Sequence, residues 1–174
     1  AQTAVASNLL TNATGFHAPI GSDFVTTSAQ TITSITFAMY DNSCTGTAVG
    51  SKCADGGSVL VYLVPGTGTG SNLPTHTGVT LNNKIALGTI LDSALTVGST
   101  GTGTQNLVTL NPNVTVGAGT WWVMMVSAND QANGGSSTNP QTSAKWGEMA
   151  ASAIPGTTVG VPTAAGSPNF FTAG

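Results

Sequence analysis

Three runs of the chain alternate with a period of two, which is the signature of β-strands. In residues 30–40 (QTITSITFAMY), Ile35, Phe37 and Met39 fall on one face and Thr36, Ala38 and Tyr40 on the other. That pattern predicts a half-buried strand. In residues 58–64 (SVLVYLV), Val59, Val61 and Leu63 alternate with Leu60, Tyr62 and Val64, and both faces are apolar. The same holds within residues 114–130 (VTVGAGTWWVMMVSAND), where Trp121, Val123 and Met125 alternate with Trp122, Met124 and Val126. A sheet in a two-layer sandwich buries one face and leaves the other polar. Two strands apolar on both faces therefore predict an outer surface that something covers, either the chain's own long loops or another copy of the chain.

Weaker strand signals occur at residues 24–27, 85–91, 106–110, 145–149 and 169–172. The segments between them are punctuated by Gly, Pro and Asn. Gly15 and Gly21, with Pro19, bracket a loop. Residues 41–57 form a long excursion ending in the turn signal Asp55-Gly56-Gly57, and Asn111-Pro112-Asn113 marks another turn. Pro155, Pro162 and Pro168 interrupt the region before the last strand. The only helical stretch, residues 150–154, is too short to stand alone. The Gly/Thr-rich runs at 66–78 and 98–104 set no repeat period, which excludes a solenoid. The expected fold class is all-β: an antiparallel β-sandwich or jelly roll with long Gly/Thr/Ser-rich loops. Residues 13–174 form the single sandwich domain. Residues 1–12, with Val5, Leu9 and Leu10 as apolar anchors, form an edge strand or an arm that pairs with a neighbouring subunit.

Composition changes the picture of the surface. Charged residues are 5% of the chain, against about 25% in ordinary globular proteins. The net charge is −3, with three lysines and no arginine. This excludes a basic nucleic-acid surface and disfavours anionic membranes. Mean hydropathy is +0.19, which argues against disorder. No apolar run of about 20 residues suits a transmembrane helix. So little charge keeps copies apart only weakly. Such a chain lives dilute, carries glycans or associates. Cys44 and Cys53 are the only cysteines and lack zinc-ligand spacing. A disulfide closing the loop between them is expected, with two reduced thiols as the alternative. The bridge implies an oxidising, secreted setting. The absence of an initiator Met fits a removed leader or an arbitrary boundary.

Candidate chemistry is sparse. His17 and His76 lie beside no nucleophile motif and in no metal-ligand spacing. With this many serines, a lone His meets one by chance, so no catalytic residue is assigned. The acids are too scattered for a paired-carboxylate hydrolase. Asp41 and Asp55 flank the cysteine loop and could bind calcium with Asn42. The competing reading is ordinary turn residues, and no calcium-loop motif is present. The Gly/Thr runs lack the Lys of a phosphate loop. Neither a cofactor nor a metal is assigned. Trp121, Trp122 and Trp146 offer either core burial or a sugar-stacking platform. Asn12 and Asn113 head acceptor patterns for N-glycosylation, common by chance in such a chain.

One resemblance emerges from the order of elements. An alternating strand ends in Tyr40-Asp41-Asn42, followed by residues 59–64, then Leu87-Gly88-Thr89-Ile90, then 106–110, then VGAGTWW over residues 116–122. This resembles the extracellular bacterial choice-of-anchor and PEP-CTERM-associated β-sandwich proteins, over about residues 31–127. The resemblance implies export, a cell-surface or matrix location and no known catalysis. No Pro-Glu-Pro motif or basic tail closes the sequence, so it implies nothing about anchoring. Together these readings predict a non-catalytic structural protein that self-associates in a filament, sheath or biofilm matrix. Val5, Leu9, Leu10, Tyr62, Trp121 and Trp122 are its candidate interface. The alternative is a monomeric module that binds polysaccharide through an exposed Trp.

Overall fold

The computed structural model describes residues 6–8, 20–41, 44, 46–67, 74–77, 80–99, 104–128 and 142–147. The side chains of residues 6–8, Ile20, Ser22, Thr77, Thr80, Lys145 and Trp146 are also outside that description. The expected strand at 169–172 and the anchors Val5, Leu9 and Leu10 lie outside the described residues, as do His17 and Asn42.

Two four-stranded antiparallel sheets make up the fold. The strands are β1 (Ala6–Asn8), β2 (Ile20–Thr26), β3 (Gln30–Ile32), β4 (Ile35–Asp41), β5 (Ser58–Pro65), β6 (His76–Thr77) and β7 (Thr80–Leu81). They continue as β8 (Ile85–Leu91), β9 (Asn106–Leu110), β10 (Val114–Val116), β11 (Gly119–Ser127) and β12 (Ala144–Gly147). One sheet has the order β1-β12-β4-β9, the other β2-β11-β5-β8, and β10-β3 and β6-β7 are two-stranded. The pairing is nested: β1 with β12, β2 with β11, β4 with β9 and β5 with β8, all antiparallel. Strands far apart in sequence are thus brought together as neighbours within each sheet. Among the described residues the sole helical element is a 3-10 turn, Asp92–Ala94, and no helix is long and apolar enough to cross a membrane.

The sheets meet across one core. Phe37, Met39 and Ala144 come from the first sheet, and Val59, Val61, Leu63, Leu87, Ile90, Val123 and Met125 from the second. All are buried, so the architecture is a β-sandwich. The alternation expected in β4, β5 and β11 holds residue by residue. Val59, Val61 and Leu63 face this core, while Val64 and the partly buried Tyr62 belong to a second cluster on the opposite face. Val123 and Met125 likewise face the core, with Trp121 packed half-buried against it. Trp122, Met124 and Val126 fill the second cluster.

The second cluster is covered within the chain. Trp122 is 2% exposed, and Val64 and Met124 not at all. The β6–β7 hairpin folds over the end of β5, through Thr75 N–H to Pro65 O at 3.0 Å and a bridge between Gly66 and Pro74. It contributes Leu81 to the cluster. Of the two covers the alternation allowed, the one observed is intramolecular. Trp122 is therefore removed from the candidate interface: a side chain this deeply covered offers no surface to a second copy. Tyr62 and Trp121 are only partly buried, and each packs against a cluster of its own chain.

Two local expectations need correction. The loop read around Gly21 is not all loop, because Ile20 and Gly21 open β2. Gly21 pairs with Met124, and a Cβ there would collide with the Met124 sulfur. This glycine permits close approach instead of marking a turn. Residues 30–40 are two strands, not one. The β3–β10 and β4–β9 ribbon breaks at Thr33-Ser34 on one side and at residues 111–113 on the other, where Asn113 takes φ 49°. The strand expected at 85–91 is present as β8 and carries a bulge: Val61 pairs with Gly88 and Tyr62 with Ala86, which leaves Leu87 as the extra residue. Gly88 at the bulge has φ 150°.

Candidate functional site

Four of the five buried polar residues among the described residues, Asp41, Asp92, Thr142 and Ser143, converge at one place beside the disulfide. Cys44 and Cys53 are bridged, with Cα atoms 5.7 Å apart. The bridge ties down the excursion between β4 and β5. Asp41 is the last residue of β4, Asp55 follows Cys53, and Asp92 opens the 3-10 turn after β8. Thr142 and Ser143 lead into β12. Asp41, Asp92 and Thr142 are fully buried, and Ser143 nearly so.

Each carboxyl is held by donors from distant parts of the chain. Thr142 Oγ1 donates to Asp92 Oδ1 at 2.7 Å, and Ser143 N–H donates to Asp92 Oδ2 at 2.9 Å. Cys44 N–H donates to Asp41 Oδ1 at 3.1 Å, and Gly57 N–H to Asp55 Oδ1 at 2.9 Å. Ser143 Oγ lies 2.8 Å from Asp41 Oδ2 and 2.6 Å from Asp55 Oδ2. A hydroxyl has one hydrogen, so it serves one of these contacts at a time. The Ser143 hydroxyl thus bridges the Asp41 and Asp55 carboxyls.

Burial pushes the Asp92 carboxyl from its ordinary 3.8 up to about 7. The negative charges of Asp55 and Asp41 push in the same direction, while the hydrogen bonds from Thr142 and Ser143 oppose it. Lys52, the lysine nearest in sequence to Asp55, donates instead to the Ala94 carbonyl at 2.6 Å. Lys84 stacks over the Tyr62 ring, 4.8 Å from its centroid.

The expected approach of Asp41 and Asp55 occurs, with Ser143 between them. The ligand-type atoms of Asp41, Cys44, Cys53 and Asp55 all lie within 4.8 Å of one another. The two sulfurs are joined to each other, so they offer no thiolate to a metal. What remains is hard oxygen: Asp41, Asp55 and the Ser143 hydroxyl. Calcium takes about six to eight oxygens, more than two carboxylates and one hydroxyl supply by themselves.

Asp92, Thr142 and Ser143 carried no signal in the sequence. Asp92 looks like any acid after a strand, and the other two sit in a small polar run. Among the described residues, His76 is exposed on β6. Trp121 is half-buried and its Nε1 donates to the Gly117 carbonyl at 3.1 Å, while Trp122 is buried.

The fold and the site define a class: an all-β, antiparallel, disulfide-bridged sandwich whose buried polar centre ties strand ends together. Comparisons with protein families, with curated proteins and with solved structures found no match.

Proposed function

We propose that this chain is a non-catalytic, extracellular structural protein, a self-associating subunit of a surface filament, sheath or matrix. The observation that carries the reading is the charge on the sheet edges. The outermost strands of the two large sheets are β1, β9, β2 and β8. Together they contain a single charged residue, Asp23. Monomeric β-proteins guard their edges with charge, proline or bulges, because an edge strand is a template for another chain. Here the only such guard among these strands, besides Asp23, is the bulge in β8. Exposed apolar side chains lie on the same strands: Val25 on β2, Leu91 on β8 and Leu107 on β9.

Extracellular location is supported by the disulfide, by the low charge and by the resemblance to exported β-sandwich proteins. The test is the size and shape of the native protein by light scattering and electron microscopy. The expected result is concentration-dependent growth into regular assemblies. A monodisperse monomer at high concentration would contradict the reading.

A further inference from the structure

We infer that copies of this chain join by strand exchange, β1 of one copy taking the place of β1 on β12 of the next. The inference rests on the self-association proposed above and names its surface. Among the described residues β1 lies at the edge of its sheet and pairs with β12, with Ala6 opposite Gly147, Ser7 opposite Trp146 and Asn8 opposite Lys145. It is three residues long. A strand this short, held on one side, is the least costly element of the sheet to move.

The acceptor strand is held without β1. On its other side β12 pairs with β4, with Ala144 opposite Asp41. Its lead-in is fixed by the carboxyl cluster: Ser143 contacts Asp41, Asp55 and Asp92, and Thr142 bonds Asp92 and accepts the Ala144 N–H at 3.1 Å. These contacts come from β4, the disulfide loop and the 3-10 turn, and none comes from β1. When β1 leaves, β12 keeps its place and presents an ordered edge to an incoming strand.

Reach and charge also permit exchange. The chain between Asn8 and Ile20 extends to at most about 40 Å, on the order of the diameter of a small domain. The donor strand Ala-Ser-Asn carries no charge, so no like-charge repulsion opposes its pairing with a second copy. An exchanged strand makes the same backbone hydrogen bonds as the resident one, which makes exchange of an identical element a low-cost route to assembly.

Register partners in an antiparallel pair have Cα atoms about 4.5–5.5 Å apart, within disulfide reach. The experiment therefore uses Ala6→Cys and Gly147→Cys, read on non-reducing gels beside light scattering of the same samples. The native Cys44–Cys53 bridge is buried in the folded chain, and unfolding at mildly acidic pH keeps the introduced thiols protonated, so they do not exchange with it before refolding. The two single variants are mixed, unfolded, refolded together and oxidised. The expected main product is a covalent dimer of one chain of each kind. The double variant on one chain is expected to give a ladder of linked multimers. A double variant linked only within its own chain overturns the exchange, as does a mixture with no cross-chain product. If such samples still form large assemblies, self-association stands and only the exchange falls. If they stay monomeric, both fall.

Discussion

Strands β11 and β12 lie in different sheets and are held by different chemistry. β11 is nine residues long, pairs with β2 on one side and β5 on the other, and is buried without a break from Trp122 to Ser127. Its two faces feed two apolar clusters. β12 is four residues long, and its hold begins at Thr142 and Ser143, buried among three carboxyls. The first strand is fixed by apolar area, which is non-directional and insensitive to pH. The second is fixed by directed hydrogen bonds, which fail if one partner is lost or one proton moves. One fold thus contains a permanent sheet and a sheet whose edge is held by a few specific atoms.

The largest effect expected from breaking this comparison is at Trp122. Its replacement by Ala empties part of the second cluster and should cost about 3–5 kcal/mol. The check is a lowered denaturant midpoint with an unchanged slope. An equal loss for Trp121→Ala, where the ring is half-buried, would mean the two faces of β11 are not distinct in the way described.

Next is pH, which separates the two regions directly. The folded value of Asp92 lies above its ordinary value, so the folded chain holds this proton more tightly than the unfolded chain does. The associated stability is fully present below about 3.8. It is lost as pH rises toward about 7 and is constant above that. At 1.36 kcal/mol per unit, this interval of about three units sets an upper bound of about 4 kcal/mol. Thermal unfolding should therefore show a melting temperature that falls between pH 4 and pH 7 through this group. Asp92→Asn should flatten the slope and be more stable than the native chain at pH 7, because the amide stands in for the neutral carboxyl and does not titrate. An unchanged slope in the variant would assign the pH dependence elsewhere.

What the sequence made legible follows the range of the interactions. The alternation in β4, β5 and β11 is local, with every second residue on one face, and so the strands and both apolar faces of β5 and β11 are readable in one dimension. The disulfide was equally near at hand, its cysteines being nine positions apart. What covers Trp122 was not readable, because Leu81 arrives from a hairpin that the Gly/Thr loop gave no reason to expect. Gly21 misled for a related reason: glycine marks turns and close approaches alike, and only the position of Met124 tells them apart. The carboxyl cluster was least legible. Its contacts join residues 50 to 102 positions apart, and nothing near Ser143 in sequence marks it as the hydroxyl between two acids.

The smallest expected effect is the most specific. Ser143→Ala removes the hydroxyl shared by Asp41 and Asp55 and should cost about 1–3 kcal/mol. The loss should be concentrated at β12. Amide hydrogen exchange of residues 144–147 tests this directly, comparing the native chain, Ser143→Ala and a chain lacking residues 1–11. If the cluster holds β12, the amides paired with β4 exchange about tenfold or more faster in Ser143→Ala, since about 1.4 kcal/mol corresponds to a factor of ten, and stay protected when residues 1–11 are removed. Protection that survives Ser143→Ala, or that disappears with residues 1–11, would contradict the account.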